Sequence, residues 1–151
     1  MTSLQVDILL VEDNTEDMEL TLHALRKENL ANHIHVARDG EEALEFLQRN
    51  GNSGALPPRL VLLDLKLPKV DGMEVLRQIK ADFRLKAIPV VILTSSKEER
   101  DLCKGYELGA NSFIQKPVDF TQFRETIKAA GLYWLLINQP PVINGAPRPV
   151  R

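Results

Sequence analysis

The stretch LVLLDLKLPKVDG, residues 60–72, places an aspartate directly after a short apolar run. Residues 60–63 have the length and composition of a strand that is buried on both faces. Asp64 stands at the end of this strand, and Pro68 and the Asp71-Gly72 pair interrupt the chain before the next helical pattern. The stretch therefore predicts a buried strand that ends in a carboxylate and is followed by a loop.

The same strand-and-helix unit recurs along the whole chain. The first helix is predicted from an N-cap at Asn14 to about Glu28, the fourth over about 97–108, and the last begins near Asp119. Asp39-Gly40 is predicted as a turn, and residues 51–58 as a loop. Five strands are predicted, at 6–11, 34–37, 60–63, 89–93 and 112–114. This alternation predicts an α/β fold, a doubly wound (βα)5 unit around a parallel sheet.

Composition excludes several classes of function. A length of 151 residues suits one domain, and a net charge of −2 provides no basic surface for nucleic acid. Cys103 is the single cysteine, so no intramolecular disulfide can form and a reducing cytoplasm is the expected location. The first residues do not have the pattern of a signal peptide, and no apolar run is long enough to span a membrane.

Polar residues follow four of the predicted strands. In open parallel sheets, ligands bind beyond the carboxyl ends of the strands, so these side chains are expected at one edge. Clustered carboxylates repel one another, and a hard divalent cation relieves that repulsion. Oxygen ligands without nearby Cys or His favour Mg²⁺. The residues concerned are Glu12, Asp13, Asp64, Thr94, Ser95 and Lys116.

This arrangement predicts phosphoryl transfer. Asp64 is the expected nucleophile and would form an aspartyl phosphate, while Lys116 neutralises one phosphoryl oxygen and the Thr94 hydroxyl bonds another. Each residue alone has a simpler interpretation, as a helix start, a turn, an N-cap or a surface charge. Their joint occurrence at successive strand ends favours the functional interpretation.

Five segments also resemble a known family, the CheY-like receiver domains of two-component response regulators. The similarity runs from about residue 6 to 130 and implies a flavodoxin/CheY-like sheet in the order 2-1-3-4-5. The matching segments are ILLVEDN (8–14), LVLLDLKLPKVDG (60–72), PVVILTSS (89–96), GANSFIQKP (109–117) and VDFTQF (118–123).

The resemblance implies a role for each matching residue. Asp64 would accept the phosphoryl group and bind Mg²⁺ together with Asp13 and the backbone carbonyl of Lys66, while Glu12 would act through water. Lys116 would pair with the phosphate.

The resemblance also assigns a conformational response. Thr94 would be the switch hydroxyl and Phe113 the switch aromatic. Lys66 and Ser96 would flank the path of the attacking water and tune the lifetime of the phosphoryl group. The Lys116–Pro117 bond is expected to be cis, an isomer that is accessible at modest cost only before proline.

The carboxyl-terminal part of the chain has an additional apolar run. Residues 1–137 are predicted as a single receiver domain with an extended last helix, and residues 138–151 as a Pro/Gly-rich tail without an output domain. The run 132–137 is either a helix end folded over the core or a surface for self-association. Its YWLLINQPP ending resembles single-domain regulators that partner phytochrome-type histidine kinases. That resemblance implies a homodimer through the fourth and fifth helices, the fifth strand and the extension. The lack of a basic surface and of a long apolar run predicts no binding to nucleic acid or membrane.

Two enzymatic or cofactor-binding alternatives remain open. A haloacid-dehalogenase-like phosphatase uses a similar set of residues, but it needs a second aspartate where this chain has Lys66. A flavodoxin-like FMN-binding protein shares the topology, but it needs a phosphate-binding loop where residues 12–17 are mostly acidic. Because each alternative lacks a feature that it needs, the chain is expected not to be an enzyme, apart from catalysing its own phosphorylation and dephosphorylation.

Overall fold

The structure, a computed structural model, describes residues 6–30, 33–95, 99–117 and 119–139. Within these ranges five strands alternate with five helices, and the last helix continues into a π-helical turn at Tyr133–Ile137. The strands are β1 (Ile8–Val11), β2 (Ile34–Ala37), β3 (Leu60–Leu63), β4 (Val90–Thr94) and β5 (Ser112–Gln115). The helices are α1 (Thr15–Lys27), α2 (Gly40–Asn52), α3 (Gly72–Ala81), α4 (Glu99–Glu107) and α5 (Phe120–Leu132).

All neighbouring strands are parallel, in the order β2-β1-β3-β4-β5, which confirms the predicted sheet. Backbone hydrogen bonds extend the pairing past the strand ends. The Asp64 amide donates to the Val11 carbonyl at 3.1 Å, and the Lys116 amide donates to the Thr94 carbonyl at 2.7 Å. The predicted polar residues therefore share one edge of the sheet, at the carboxyl ends of its strands.

The core consists of two apolar layers, one on each face of the sheet. Successive strand residues point to opposite faces, so Leu9 and Val11 join one layer while Ile8 and Leu10 join the other. The first layer includes buried residues of α2 and α3, and the second includes those of α1 and α5. Among the described residues, no helix is long and apolar enough to cross a membrane.

Both Asp-Gly pairs begin helices, so the prediction of a turn at Asp39-Gly40 was wrong. Asp39 accepts a hydrogen bond from the Glu42 amide at 2.8 Å and caps α2, and Asp71 caps α3 in the same way. Both glycines are needed because the β3–α3 loop passes close to them. A Cβ on Gly72 would lie 2.3 Å from the Asp64 carbonyl oxygen, and one on Gly40 would lie 1.9 Å from the Val70 carbonyl oxygen.

The π-helical turn is partly buried and partly exposed. Leu135 is buried in the layer beneath α1 and α5, and Trp134 packs against that layer. Three other residues of the turn remain exposed, namely Tyr133, Leu136 and Ile137, as does Leu132 at the end of α5. The segment thus folds over the core and also presents an apolar surface. Of the predicted tail, residues 140–151 lie outside the described residues, as do Ser96 and the predicted start of α4.

Candidate functional site

Lys116 lies at the centre of a group of buried carboxylates. Its ammonium donates to Glu12 Oε1 at 2.6 Å, Asp17 Oδ2 at 2.8 Å and Asp64 Oδ2 at 3.1 Å. The side chains of Lys116, Glu12 and Asp64 are at most one tenth exposed, whereas Asp17 is 28% exposed. All three protons of the ammonium therefore have carboxylate acceptors.

Burial and neighbouring charge act in opposite directions on this group. Burial raises the pKa of Glu12 to about 7; the hydrogen bond and charge of Lys116 lower it, and the charge of Asp64 adds to the rise. Burial alone would lower the pKa of Lys116, but hydrogen bonds to Asp17 and Glu12 and the charges of Glu12 and Asp64 together raise it. Lys116 is therefore a permanent cation, while the charge of Glu12 depends on pH.

Glu12, Asp13 and Asp64 form a group that could hold a metal ion, with one oxygen from each residue within 4.8 Å of the others. Together with Asp17 the cluster has four carboxylates, three of which bond the single Lys116 ammonium, so the ionised cluster carries excess negative charge. Donors that are all oxygens, with no His or Cys in the group, fit a hard divalent cation. Asp13 is exposed, which leaves the cluster open to solvent.

The β1–α1 loop is held by hydrogen bonds of Asn14 and Arg38. Asn14 caps α1 by accepting from the Asp17 amide at 2.9 Å, and its own amide donates to Glu12 Oε2 at 3.2 Å. Arg38, which follows β2, donates through Nη2 to the Asp13 carbonyl and to the Thr15 hydroxyl, both at 3.0 Å. The position of Asp13 therefore depends on a neighbouring strand end as well as on β1.

The β3–α3 loop folds back over the end of β3. The Lys66 amide makes a long contact of 3.4 Å to Asp64 Oδ1, and the Lys66 side chain is exposed. Lys69 has a positive φ of 66°, and its ammonium lies 3.6 Å from Asp39 Oδ2. Because Gly72 closes the loop on the Asp64 carbonyl, the backbone of residues 64–66 is fixed beside the carboxylate cluster.

The two predicted switch residues lie on adjacent strands. Thr94 is fully buried at the end of β4, where it pairs with Gln115 of β5. Phe113 pairs with Ile92, is partly buried, and packs against the apolar layer beside α4. A Cβ on Gly105 of α4 would lie 3.3 Å from the Phe113 ring, so this helix passes close to the aromatic residue.

One geometric prediction at the site was wrong. No cis peptide bond occurs within the described ranges, so the Lys116–Pro117 bond is trans. The trans isomer is the one that an X–Pro bond favours, by about 0.5–1 kcal/mol.

Sequence reasoning missed two residues of the site, Asp17 and Arg38. Asp17 was treated only as part of an acidic loop, although the predicted N-cap at Asn14 places it in the first helical turn after the end of β1. No comparable signal identifies Arg38, because its contact with the Asp13 carbonyl depends on the neighbouring position of β2 and β1.

Comparison with known families agrees with this geometry. Residues 8–128 match the model of the response regulator receiver domain. The chain belongs to this family. The receiver also resembles the probable methanogenesis regulatory protein FilR2 of Methanothrix harundinacea, with 45% identity over 134 residues that cover 89% of this chain and 86% of FilR2. It is 40% identical to response regulator Rcp1 of Synechocystis over 129 residues, covering 85% of this chain and 88% of Rcp1.

Two solved receiver structures are close in shape. The crystal structure of the Mn²⁺-bound form of Rcp1 superposes with a TM-score of 0.83 at 38% identity, covering 92% of this chain and 100% of that chain. The phosphorylated cyanobacterial phytochrome response regulator RcpA superposes with a TM-score of 0.84 at 40% identity, covering 91% and 99%. Membership of this family of signalling domains disfavours both the phosphatase and the flavodoxin alternatives.

Proposed function

We propose that Asp64 of this receiver accepts a phosphoryl group from a histidine kinase. The observation that carries the proposal is the position of its carboxylate, which lies 3.1 Å from the Lys116 ammonium beside the oxygen ligands of a candidate cation site. An Asp64 oxygen attacks phosphorus, the P–O bond forms, and the P–N bond to the kinase's histidine breaks with its electron pair leaving on the imidazole. The receiver catalyses this transfer to itself, and the later hydrolysis, without acting on a separate substrate.

The surrounding residues would bind and orient the transferred group. Lys116 provides a buried positive charge for one phosphoryl oxygen, and the Thr94 hydroxyl at the adjacent strand end provides a hydrogen-bond donor for another. Movement of Thr94 toward the phosphate would leave space into which Phe113 turns.

We assign the cation as Mg²⁺. Its ligands would be Asp13, Asp64 and the Lys66 carbonyl, with Glu12 acting through water. A bound Mg²⁺ would neutralise charge that builds up on the phosphoryl oxygens.

Phosphoryl uptake from a small donor with Mg²⁺ tests the role of Asp64. We expect Asp64→Asn to abolish uptake, because an amide is a poor nucleophile. Asp39→Asn is the matched control, since Asp39 also follows a strand of this sheet and asparagine caps a helix as well as aspartate does. Undiminished uptake by Asp64→Asn would refute the assignment.

We also propose a phytochrome-type histidine kinase as the partner, because RcpA, with which this chain shares its fold and 40% of its sequence, is a phytochrome response regulator. A receiver that takes its phosphoryl group from such a kinase would act in the cytoplasm. Transfer from a phytochrome-type kinase should be faster than from unrelated histidine kinases, and equal rates would contradict this partnership.

The output of the receiver would be contact with a second copy of the chain. The fourth helix exposes Leu102 and Tyr106, and the carboxyl-terminal segment exposes a further apolar group that includes Leu136. We expect Leu136→Asp to weaken self-association in sedimentation experiments, while Phe83→Asp, at an exposed residue just after α3, which packs on the other face of the sheet, leaves it unchanged. Equal association of the two variants would exclude this surface.

A further inference from the structure

Asp17 differs from the other two carboxylates that hold Lys116. Glu12 and Asp64 belong to the group of oxygens that could hold a cation, whereas Asp17 does not. A cation bound at that group would draw Glu12 and Asp64 toward itself. Asp17, at 2.8 Å from the ammonium, is then the remaining carboxylate partner of Lys116 among the three.

Helix capping does not explain where the Asp17 side chain points. Asp17 is the third residue of α1, a position from which an acidic side chain often returns to the amide of the N-cap residue. Here the Asn14 amide donates to Glu12 instead, and the Asp17 carboxylate extends to Lys116 in the loop after β5. The Asp17 backbone is itself fixed, because its carbonyl accepts from the hydroxyl of the fully buried Thr21 at 2.8 Å.

We propose that Asp17 is a positioning residue that keeps the Lys116 ammonium directed at the phosphoryl site once a cation and a phosphoryl group are present. The inference rests on the proposed role of Asp64. Lys116 exchanges its longest bond, to Asp64, for a phosphoryl oxygen and keeps its bond to Asp17. The first turn of α1 thereby fixes the ammonium that Lys116 contributes to the phosphate.

Binding of beryllofluoride, a mimic of a phosphoryl group on aspartate, at saturating Mg²⁺ tests this role. We expect Asp17→Asn to weaken binding about three- to tenfold, because a partly exposed charged hydrogen bond contributes less than a fully buried one. Glu16→Gln is the matched control: it removes the same charge from the same turn of α1, but Glu16 is exposed and is not among the partners of Lys116. Asp17→Glu should restore part of the lost affinity.

A double-mutant cycle separates positioning from a general effect of charge or folding. In a Lys116→Met background, Asp17→Asn should no longer change beryllofluoride affinity, because the residue through which it acts is gone. The same loss in both backgrounds would overturn the proposal, and so would tighter binding by Asp17→Asn, which would make Asp17 a competitor of the phosphoryl group.

Nitrogen-15 NMR of the lysine ammonium groups gives a second reading that does not require the Lys116→Met variant to fold. With Mg²⁺ and beryllofluoride bound, the Lys116 ammonium should be observable in the wild type and in Glu16→Gln, and should exchange with water too fast to be seen in Asp17→Asn. An unchanged signal in Asp17→Asn would overturn the role of Asp17. Failure of the wild type to bind beryllofluoride would instead refute the role of Asp64.

Discussion

Lys80 lies beside the amino ends of the strands and Lys116 at their carboxyl ends, which are two opposite edges of the sheet. Their ammonium groups have opposite surroundings. Lys80, near the end of α3, donates to the carbonyls of Lys86 and Ile88 and to Asn111 Oδ1, at 2.8–2.9 Å. These acceptors precede β4 and β5, and all are uncharged. Lys116 follows β5 and bonds three carboxylates.

The pKa values of the two lysines move in opposite directions for this reason. Burial lowers the pKa of Lys80 to about 8, and no carboxylate in the described part of the chain opposes this shift. Carboxylates reverse the effect of burial at Lys116 and raise its pKa. The edge at Lys80 is complete without a ligand, whereas the edge at Lys116 retains excess negative charge. The comparison indicates that the first edge holds the fold together and that the second is arranged for a cation and an incoming phosphoryl group.

The largest expected effect is the loss of stability in Lys116→Met. This change leaves buried carboxylates without their cation, so the metal-free protein should lose about 3 kcal/mol of unfolding free energy. Denaturant titrations with and without Mg²⁺ measure it. Saturating Mg²⁺ should recover much of the loss, since it neutralises the same carboxylates. A loss that Mg²⁺ leaves unchanged would mean that the cluster does not hold the cation.

Asp13→Asn should reduce Mg²⁺ affinity by at least about tenfold, because even the loss of an outer-shell partner costs about 10–100-fold. Calorimetric titration measures the affinity. Lys80→Met, at the opposite edge, serves as the control and should bind Mg²⁺ as the wild type does. Equal affinities of Asp13→Asn and the wild type would remove Asp13 from the ligand set.

Lys80→Met should destabilise the fold by about 1–3 kcal/mol, because it leaves the carbonyls of Lys86 and Ile88 without this donor. Lys86→Met is the matched control, since the Lys86 side chain is exposed and only its carbonyl bonds Lys80; it should change stability by less than about 0.5 kcal/mol. Mg²⁺ should stabilise Lys80→Met and the wild type equally, so that the difference between them does not change, and a smaller difference with Mg²⁺ would contradict the contrast between the two edges.

The smallest expected effect is a dependence on pH. Between pH 7 and pH 6 the Mg²⁺ affinity should fall by less than about tenfold, because Glu12 binds a proton as the pH drops below about 7. In the metal-free protein the raised pKa of Glu12 instead favours folding at low pH. Stability from protonated Glu12 is present below about pH 4.5 and is lost as the pH rises through about 7. Glu12→Gln should remove both dependences, and their persistence would assign them to another group.

The sequence predicts the sheet and most of the site because both follow from short-range patterns. Apolar runs place the strands, and a parallel sheet brings Glu12, Asp64 and Lys116 to one edge wherever the helices pack. The Asp39-Gly40 pair was misinterpreted because a cap and a turn use the same residues. Choosing between them requires the approach of the β3–α3 loop to Gly40 and Gly72.

The sequence does not show which side chains of one helix or strand reach residues of another. Asp17 fits a general preference for acids at helix starts, and only the packing of α1 beside the loop after β5 reveals its bond to Lys116. Arg38 is likewise an ordinary surface residue until β2 brings it to the Asp13 carbonyl.

Chemical mapping of the phosphoryl group tests the central claim most directly. Hydroxylamine cleaves an acyl phosphate, releases phosphate and leaves a hydroxamate on the carboxylate that carried it. After incubation with a small phosphodonor and Mg²⁺, peptide mass spectrometry should find the hydroxamate on Asp64. A hydroxamate on Asp13 or Asp17, or a phosphate that resists hydroxylamine, would contradict the account.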